Sequence, residues 1–319
     1  MEYGKKTLIY NTPIEHINEN LNNNNFFIKR DDLIGFSFGG NKVRKAEKFK
    51  EEIIKKKCDI IVTYGSSESN HCRVIANMAA MLNIKCIIIS PSENYKSTNN
   101  SQLAEMFGAK IIKVPVDDVS KTIDAILKKI SKKNNPYFIP GGGHGLLGTD
   151  AYVECYKEIK EYEKENFIKF DYVFFASGTG TTQAGLVCGQ YLSKDYDKKI
   201  VGISIARKKE KGEKVIIESI KEYLNVEEKE FINLVYFIDE YIGNGYAKVN
   251  RNIIRIIKKV LLKNGIALNS TYTGKAYYGM TKYIIKNKIK NKNILFINTG
   301  GLPLFFDDME ELKNEYINN

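Results

Sequence analysis

Histidine is scarce, at only His16, His71 and His144, which leaves little from which to build a histidine metal centre. The five cysteines, Cys58, Cys72, Cys86, Cys155 and Cys188, are odd in number and scattered, with no C-x-x-C pair. That pattern argues against a disulfide framework and a zinc site; it favours small buried hydrophobes in a reducing, cytoplasmic setting. No metal is expected. No apolar run is long enough to span a bilayer, and the longest β-rich runs, such as Ile87-Ile88-Ile89, read as buried strands. The opening stretch MEYGKKTLIYNTP has no apolar core, so no secretion signal is expected. An arginine-rich arm is missing as well. The net charge of +11 therefore reads as lysines solvated on helix faces among glutamates, as in EKFKEEIIKKK over residues 47–57. These absences point away from nucleic acid and membrane and toward a small-molecule partner.

What is present suits a globular enzyme. The chain has 319 residues, 43% of them hydrophobic and 27% charged, enough for one large domain or two modest ones. Short β-rich runs alternate with helical stretches. Strands are expected at 26–29, 59–64, 85–90, 110–114, 136–139, 171–176, 199–205, 234–238 and 293–298. Helices are expected at 41–56, 69–82, 99–107, 117–132, 146–165, 179–193, 210–223, 247–263 and 274–287. Such alternation predicts βαβ units and a mostly parallel α/β sheet with right-handed connections. Asn22–Asn25 reads as a polar loop.

Glycine clusters fall at the junctions: Gly39-Gly40, Gly141-Gly142-Gly143, Gly178 with Gly180, and Gly300-Gly301. Ligands of open α/β folds bind beyond the carboxyl ends of strands, so these turns are candidates to face one cleft. In FGGNKVRK (38–45), Lys42 falls in the first helical turn, where the helix dipole disfavours a cation. Desolvated in a cleft, its amine would have a lowered pKa and act as a nucleophile, with Lys45 one turn on and able to reach an anion. In YGSSESNHCR (64–73), hydroxyls and an amide stand at a helix start, where they cap the helix or help bind a carboxylate. ASGTGTTQAG (176–185) follows an apolar strand and has the makings of a phosphate cradle, though it is neither a Walker A motif nor a regular G-x-G-x-x-G. STYTGK (270–275) and FINTGG (296–301) are further polar, glycine-containing turns. Taken singly, each also fits a plain turn or a helix cap.

In this order, FGGNKVRK, SNHCR, SGTGTTQAGL, DEYIGNGYA, TYTGKA and FINTGG resemble the D-cysteine desulfhydrase and 1-aminocyclopropane-1-carboxylate (ACC) deaminase family. These are fold-type II pyridoxal 5′-phosphate enzymes, similar to tryptophan synthase β, and the resemblance runs from about Ile28 to about Phe305. It implies two open, mostly parallel twisted sheets flanked by helices, with a small domain over 44–160 and a large one from 1–43 and 161–319. It implies a homodimer, a small amino-acid substrate, and the cofactor as a Schiff base on Lys42. Ser69 would contact the substrate, with His71 beside it, and Asn70 would bind the cofactor's 3-oxygen. Gly178, Thr179, Gly180, Thr181 and Thr182 would hold the phosphate with help from Lys45, and Tyr272 would lie near the reacting carbons. ACC deaminases carry glutamate where this chain has Thr273 and leucine where it has Thr299. Threonine at both positions, as in D-cysteine desulfhydrases, implies a ring that stores a carbanion less well and a substrate whose β-substituent leaves readily. The expected reaction is α,β-elimination of D-cysteine. The alternatives are another lyase or deaminase of the family, acting on ACC, cysteate or a diamino acid, and a β-replacement synthase. Glu68 replaces the family's usual glutamine, and Ser66-Ser67 and GGGHG over 141–145 also depart from the family pattern.

Overall fold

The computed structural model describes residues 10–93, 95–243 and 245–315; the outer ends of the expected large domain and Asn244 of DEYIGNGYA lie outside them. The strands are β1 (Ile14–His16), β2 (Asn25–Lys29), β3 (Ile60–Tyr64), β4 (Lys85–Pro91), β5 (Lys110–Val114), β6 (Pro136–Phe138), β7 (Tyr172–Ser177), β8 (Lys199–Ser204), β9 (Tyr236–Ile238) and β10 (Asn293–Ile297). The helices are α1 (Asn41–Lys55), α2 (Asn70–Met81), α3 (Asn99–Met106), α4 (Val119–Ile130), α5 (Leu146–Glu165), α6 (Thr181–Leu192), α7 (Lys209–Leu224), α8 (Arg251–Asn264), α9 (Thr273–Lys286), α10 (Leu302–Asp307) and α11 (Met309–Asn314). Every expected strand and helix forms within a few residues of its expected bounds. Three short elements were not expected: β1, α10 and α11.

Two sheets result. The larger has the order β1-β2-β10-β7-β8-β9 and the smaller β5-β4-β3-β6. All pairings are parallel except β1 with β2, where Ile14 faces Lys29. β1 has only three residues, too few to show an alternating pattern, and it lies at the sheet edge.

Strands covered on both faces read as continuous apolar runs. In β7, Phe174 packs with Ile257, Tyr277 and Met280 of α8 and α9, while its neighbours Val173 and Phe175 pack with Tyr152, Tyr156 and Leu186 of α5 and α6. In β3, Ile61 joins Phe49, Val74 and Met78 on one face and Val62 joins Ile123 of α4 on the other. Period-two alternation thus divides each strand's side chains between two helical layers. All five cysteines are free and buried, as small core residues. Among the described residues, no helix is long and apolar enough to cross a membrane.

Candidate active site

The carboxyl ends of β3, β7, β8 and β10 and the amino ends of α1, α2, α6 and α9 meet around one cleft of about 370 Å³. It is lined by residues from both sheets, as expected for ligand sites in open α/β folds. Of the residues singled out from the sequence, Lys42, Ser69, Asn70, His71, Gly178, Thr179, Gly180, Thr182, Tyr272 and Thr299 line it. Lys45, Thr181 and Thr273 stand behind its walls.

α1 delivers the lysine. Gly40 caps the helix at φ +104°, and a Cβ there would sit 2.7 Å from the Thr299 carbonyl oxygen. Only glycine lets the two loops come so close. Asn41 then donates its amide to that carbonyl (3.0 Å) and its side-chain Nδ2 to Thr182 Oγ1 (3.2 Å). The start of α1 is thereby tied to two other cleft loops. Lys42 Nζ donates to the Gly142 carbonyl at 3.0 Å. Burial lowers its pKa to about 8, within reach of the neutral amine at physiological pH.

α1 itself is held by a buried charge lattice. Asp31 accepts from Arg44 (2.9 Å), Thr12 (2.8 Å) and Tyr152 (2.8 Å). Glu158 accepts from Lys29 (2.7 Å) and Arg44 (2.5 Å). Burial alone would raise Asp31, but Arg44 and Lys29 outweigh it and hold the group below the usual carboxylate range. Asp31, Cys155 and Glu158 lie close enough together to resemble a metal-ligand set, yet both carboxylates are engaged by these cations.

α2 supplies the second wall. Ser69 caps it, accepting from the Cys72 amide at 3.2 Å. Asn70 Oδ1 is occupied twice, by Arg73 Nη1 (2.8 Å) and Asn100 Nδ2 (2.9 Å), so its Nδ2 is the donor offered to the cleft. Thr63 Oγ1 gives its proton to the Ile139 carbonyl (2.7 Å) and lies 2.8 Å from His71 Nε2. His71 is therefore the Nε2–H tautomer. Burial, with Lys42 and Lys45 nearby, holds it neutral by depressing its pKa well below the ordinary value.

The third wall is the glycine loop. Gly180, at φ +91°, caps α6, whose first-turn amides are free to face an anion. Lys45 Nζ is fully buried with no hydrogen-bond partner, and burial together with Lys42 depresses its pKa well below the ordinary value. A lysine in that state lacks the anion that would hold its proton. Thr181 Oγ1 is 2.9 Å from His144 Nδ1.

Tyr272 closes the cleft. Its hydroxyl lies 2.5 Å from that of Tyr246, which in turn is 3.2 Å from Ser66 Oγ. Burial, and then Tyr246, raise the Tyr272 pKa well above its usual value, so the phenol stays protonated. Thr273 does not line the cleft, and its hydroxyl accepts the Asn269 amide and Nδ2, both at 3.0 Å. Glu68 does not line the cleft, and its carboxylate accepts from Ser67 Oγ at 3.2 Å.

Sequence reasoning missed Tyr246, Ser66 and Arg207 as cleft residues. Tyr246 stands inside the quoted DEYIGNGYA motif, and Arg207 follows the carboxyl end of β8, so a position signal existed for both. Arg207 donates to the Thr179 carbonyl at 3.3 Å.

Residues 5–300 match the family described as pyridoxal-phosphate dependent enzyme. A protein of Pyrococcus abyssi provisionally named 1-aminocyclopropane-1-carboxylate deaminase is 32% identical over 295 residues, covering 90% of this chain and 87% of that one. The D-cysteine desulfhydrase of Serratia proteamaculans is 31% identical over 293 residues, covering 88% and 87%. A solved structure described as an ACC deaminase homologue superposes with a TM-score of 0.81 at 29% identity, over 96% of this chain and 94% of the other. Threonine deaminase isoform 2 of Solanum lycopersicum shares the fold, with a TM-score of 0.68 at 18% identity over 96% and 89%.

Proposed function

The chain belongs to the pyridoxal-phosphate-dependent enzymes, in the group that holds ACC deaminases and D-cysteine desulfhydrases, and we propose that it eliminates hydrogen sulfide from D-cysteine, the released aminoacrylate then taking up water to give pyruvate and ammonia. The residues present fit the cofactor. The unpartnered Lys45 ammonium and the free amides at the start of α6 suit its phosphate, and the free Nδ2 of Asn70 suits its 3-oxygen. Gly178, Thr179, Gly180, Thr181 and Thr182 make up the phosphate loop in this reading, and the Lys42 amine would hold the cofactor's aldehyde. When bound, pyridoxal phosphate draws electrons from the substrate's α-carbon and so makes its hydrogen acidic.

The protein's own residues do the rest. Ser69, with the first-turn amides of α2 and His71 beside it, binds the substrate carboxylate. The Lys42 amine, near pKa 8, suits removal of the α-hydrogen at neutral pH. Tyr272, held protonated, would serve as a proton donor near the reacting carbons, and would take the α-hydrogen only as its phenolate. The β-thiolate departs and takes up a proton as it leaves.

One observation carries the choice of substrate: among the described residues, no carboxylate lines the cleft. Its polar wall is made of hydroxyls, amides and cations, with Thr299 among them and Thr273 behind it. Nothing anionic is there to keep a proton on the cofactor's ring nitrogen, so the ring is a modest electron sink. That favours a β-substituent that leaves readily, such as a thiolate, over opening of a cyclopropane. The division into a small domain over 44–160 and a large one from the flanking pieces belongs to this reading, as does a homodimer.

The test is release of sulfide and pyruvate from D-cysteine beside L-cysteine, ACC, cysteate and a diamino acid. Turnover selective for D-cysteine is expected. Efficient deamination of ACC, or turnover only with an added nucleophile, would overturn the assignment.

A further inference from the structure

Arg73 is a buried charge with no counter-ion. Its residue exposure is 0%, and among the described residues no carboxylate lies within salt-bridge distance of it. Its three hydrogen bonds all go to neutral acceptors: Nη1 to Asn70 Oδ1 (2.8 Å) and Asn100 Oδ1 (2.6 Å), and Nε to Ser37 Oγ (3.3 Å). Nη2 is buried without any partner. The guanidinium also lies 5.9 Å from the Phe38 ring centroid. Burying an uncompensated cation is costly, and arginine does not escape by losing its proton under ordinary conditions. Contrast Arg44, equally buried but flanked by Asp31 and Glu158. Of the two buried arginines among the described residues, Arg44 has its charge matched internally and Arg73 has a match that must come from outside.

The hydrogen-bond pattern says where that match enters. Arg73 and Asn100 together take both lone pairs of Asn70 Oδ1, and Asn100 Nδ2 also donates to the Glu68 carbonyl at 3.0 Å. The amide of Asn70 is thus fixed with its N–H groups toward the cleft. A donor polarised by a cation on its far side is a better donor, and most effective toward an anionic acceptor.

We infer that Arg73 is the charge partner, acting through Asn70, of the cofactor's anionic 3-oxygen. It is a positioning residue, one hydrogen bond removed from the ligand. The inference rests on the reading that Asn70 donates to that oxygen. Because Nε also holds Ser37, in the loop that leads to Lys42, the same side chain aligns the two groups that would flank the cofactor's aldehyde.

The experiment compares binding of pyridoxal phosphate and of 3-deoxypyridoxal phosphate to the full-length apoenzyme, by fluorescence titration. Wild type should prefer the natural cofactor. Arg73→Gln should weaken pyridoxal phosphate on the order of tenfold to a hundredfold, the scale of one charge-assisted hydrogen bond, and leave the deoxy analogue unchanged. Arg73→Lys, which keeps the charge, should retain most of the preference and guards against a Gln variant that fails to fold. Equal weakening of both ligands, or of neither, would overturn the inference and leave Arg73 a packing residue; so would a wild type that binds both alike. Asn70→Ala separates the two layers. If it leaves the preference intact, the Asn70 reading fails; if it removes the preference while Arg73→Gln does not, only the Arg73 inference fails.

Discussion

Glu158→Ala is the sharpest test of how the lysine-bearing helix is held. Lys29 is 0% exposed and Arg44 4%, so neither cation can turn to water when its partner is removed. Without Glu158, Lys29 keeps Thr12 Oγ1 at 2.7 Å and a distant Asp31 at 4.0 Å. Arg44 keeps Asp31 at 2.9 Å. Two buried cations then share one carboxylate. Removing one partner of a buried ion pair costs roughly 3–5 kcal/mol, because the remaining charge stays desolvated. Urea unfolding of the apoenzyme, followed by circular dichroism, should show a loss of that size. Lys29→Met combined with Glu158→Leu removes both charges in similar volume and should recover most of it, since an apolar replacement of a whole pair is commonly neutral. A Glu158→Ala variant within about 1 kcal/mol of wild type, or a double variant no better than the single one, would refute the claim that uncompensated charge governs this site.

Lys42→Ala should abolish both turnover and the visible absorbance of the bound cofactor; a fully active variant would sink the assignment of the amine. Because the Lys42 pKa is lowered to about 8, the neutral amine is the minor form below that pH. Cofactor loading onto apoenzyme, followed at fixed concentration in stopped flow, should therefore speed up about tenfold per pH unit below 8 and level off above it, whereas a flat profile contradicts the geometry. Gly40→Ala places a Cβ 2.7 Å from the Thr299 carbonyl at φ +104°, which should cost roughly 1–3 kcal/mol of backbone strain and lower cofactor occupancy, read by thermal melting and visible absorbance.

The parts of this site that the sequence exposes are those written in local chemistry. Glycines at turns, a cap serine at Ser69, and a lysine in a first helical turn can be read from neighbours alone; Lys42, Ser69, Gly142 and Gly180 line the cleft, while Gly39, Gly40, Gly300 and Gly301 do not. The alternation of strands and helices was equally plain because each is long enough to show its period; β1, at three residues, is not. What stayed hidden depends on contacts between distant segments. Thr273 sits in a cleft motif, yet whether its hydroxyl faces the ligand is decided by Asn269, one helical turn before it. Arg73 and Arg44 are both arginines of quoted motifs, but nothing local tells that Asp31 and Glu158 surround one while Ser37, Asn70 and Asn100 surround the other. Tyr246 reaches Tyr272 only because the loop before α8 folds over the start of α9.

The charge pattern of the cleft then has a single sense. Lys42 and Arg207 line it, Lys45 and Arg73 stand buried behind it, and among the described residues no carboxylate faces in. His71 is kept neutral by burial, with Lys42 and Lys45 adding to it. Four helix amino ends add their partial positive charge. So much unbalanced positive potential inside one fold destabilises the empty protein, unless anions supply the balance. Pyridoxal phosphate brings two, its phosphate and its 3-oxygen, and an amino-acid substrate brings a third in its carboxylate. In the proposed reading the donors are distributed to match: Lys45 and Arg207 by the glycine loop, Arg73 behind Asn70, and the α2 amides at Ser69. Binding is in this sense the last step of folding, and the strength of each contact follows from the charge that was left unpaired to receive it.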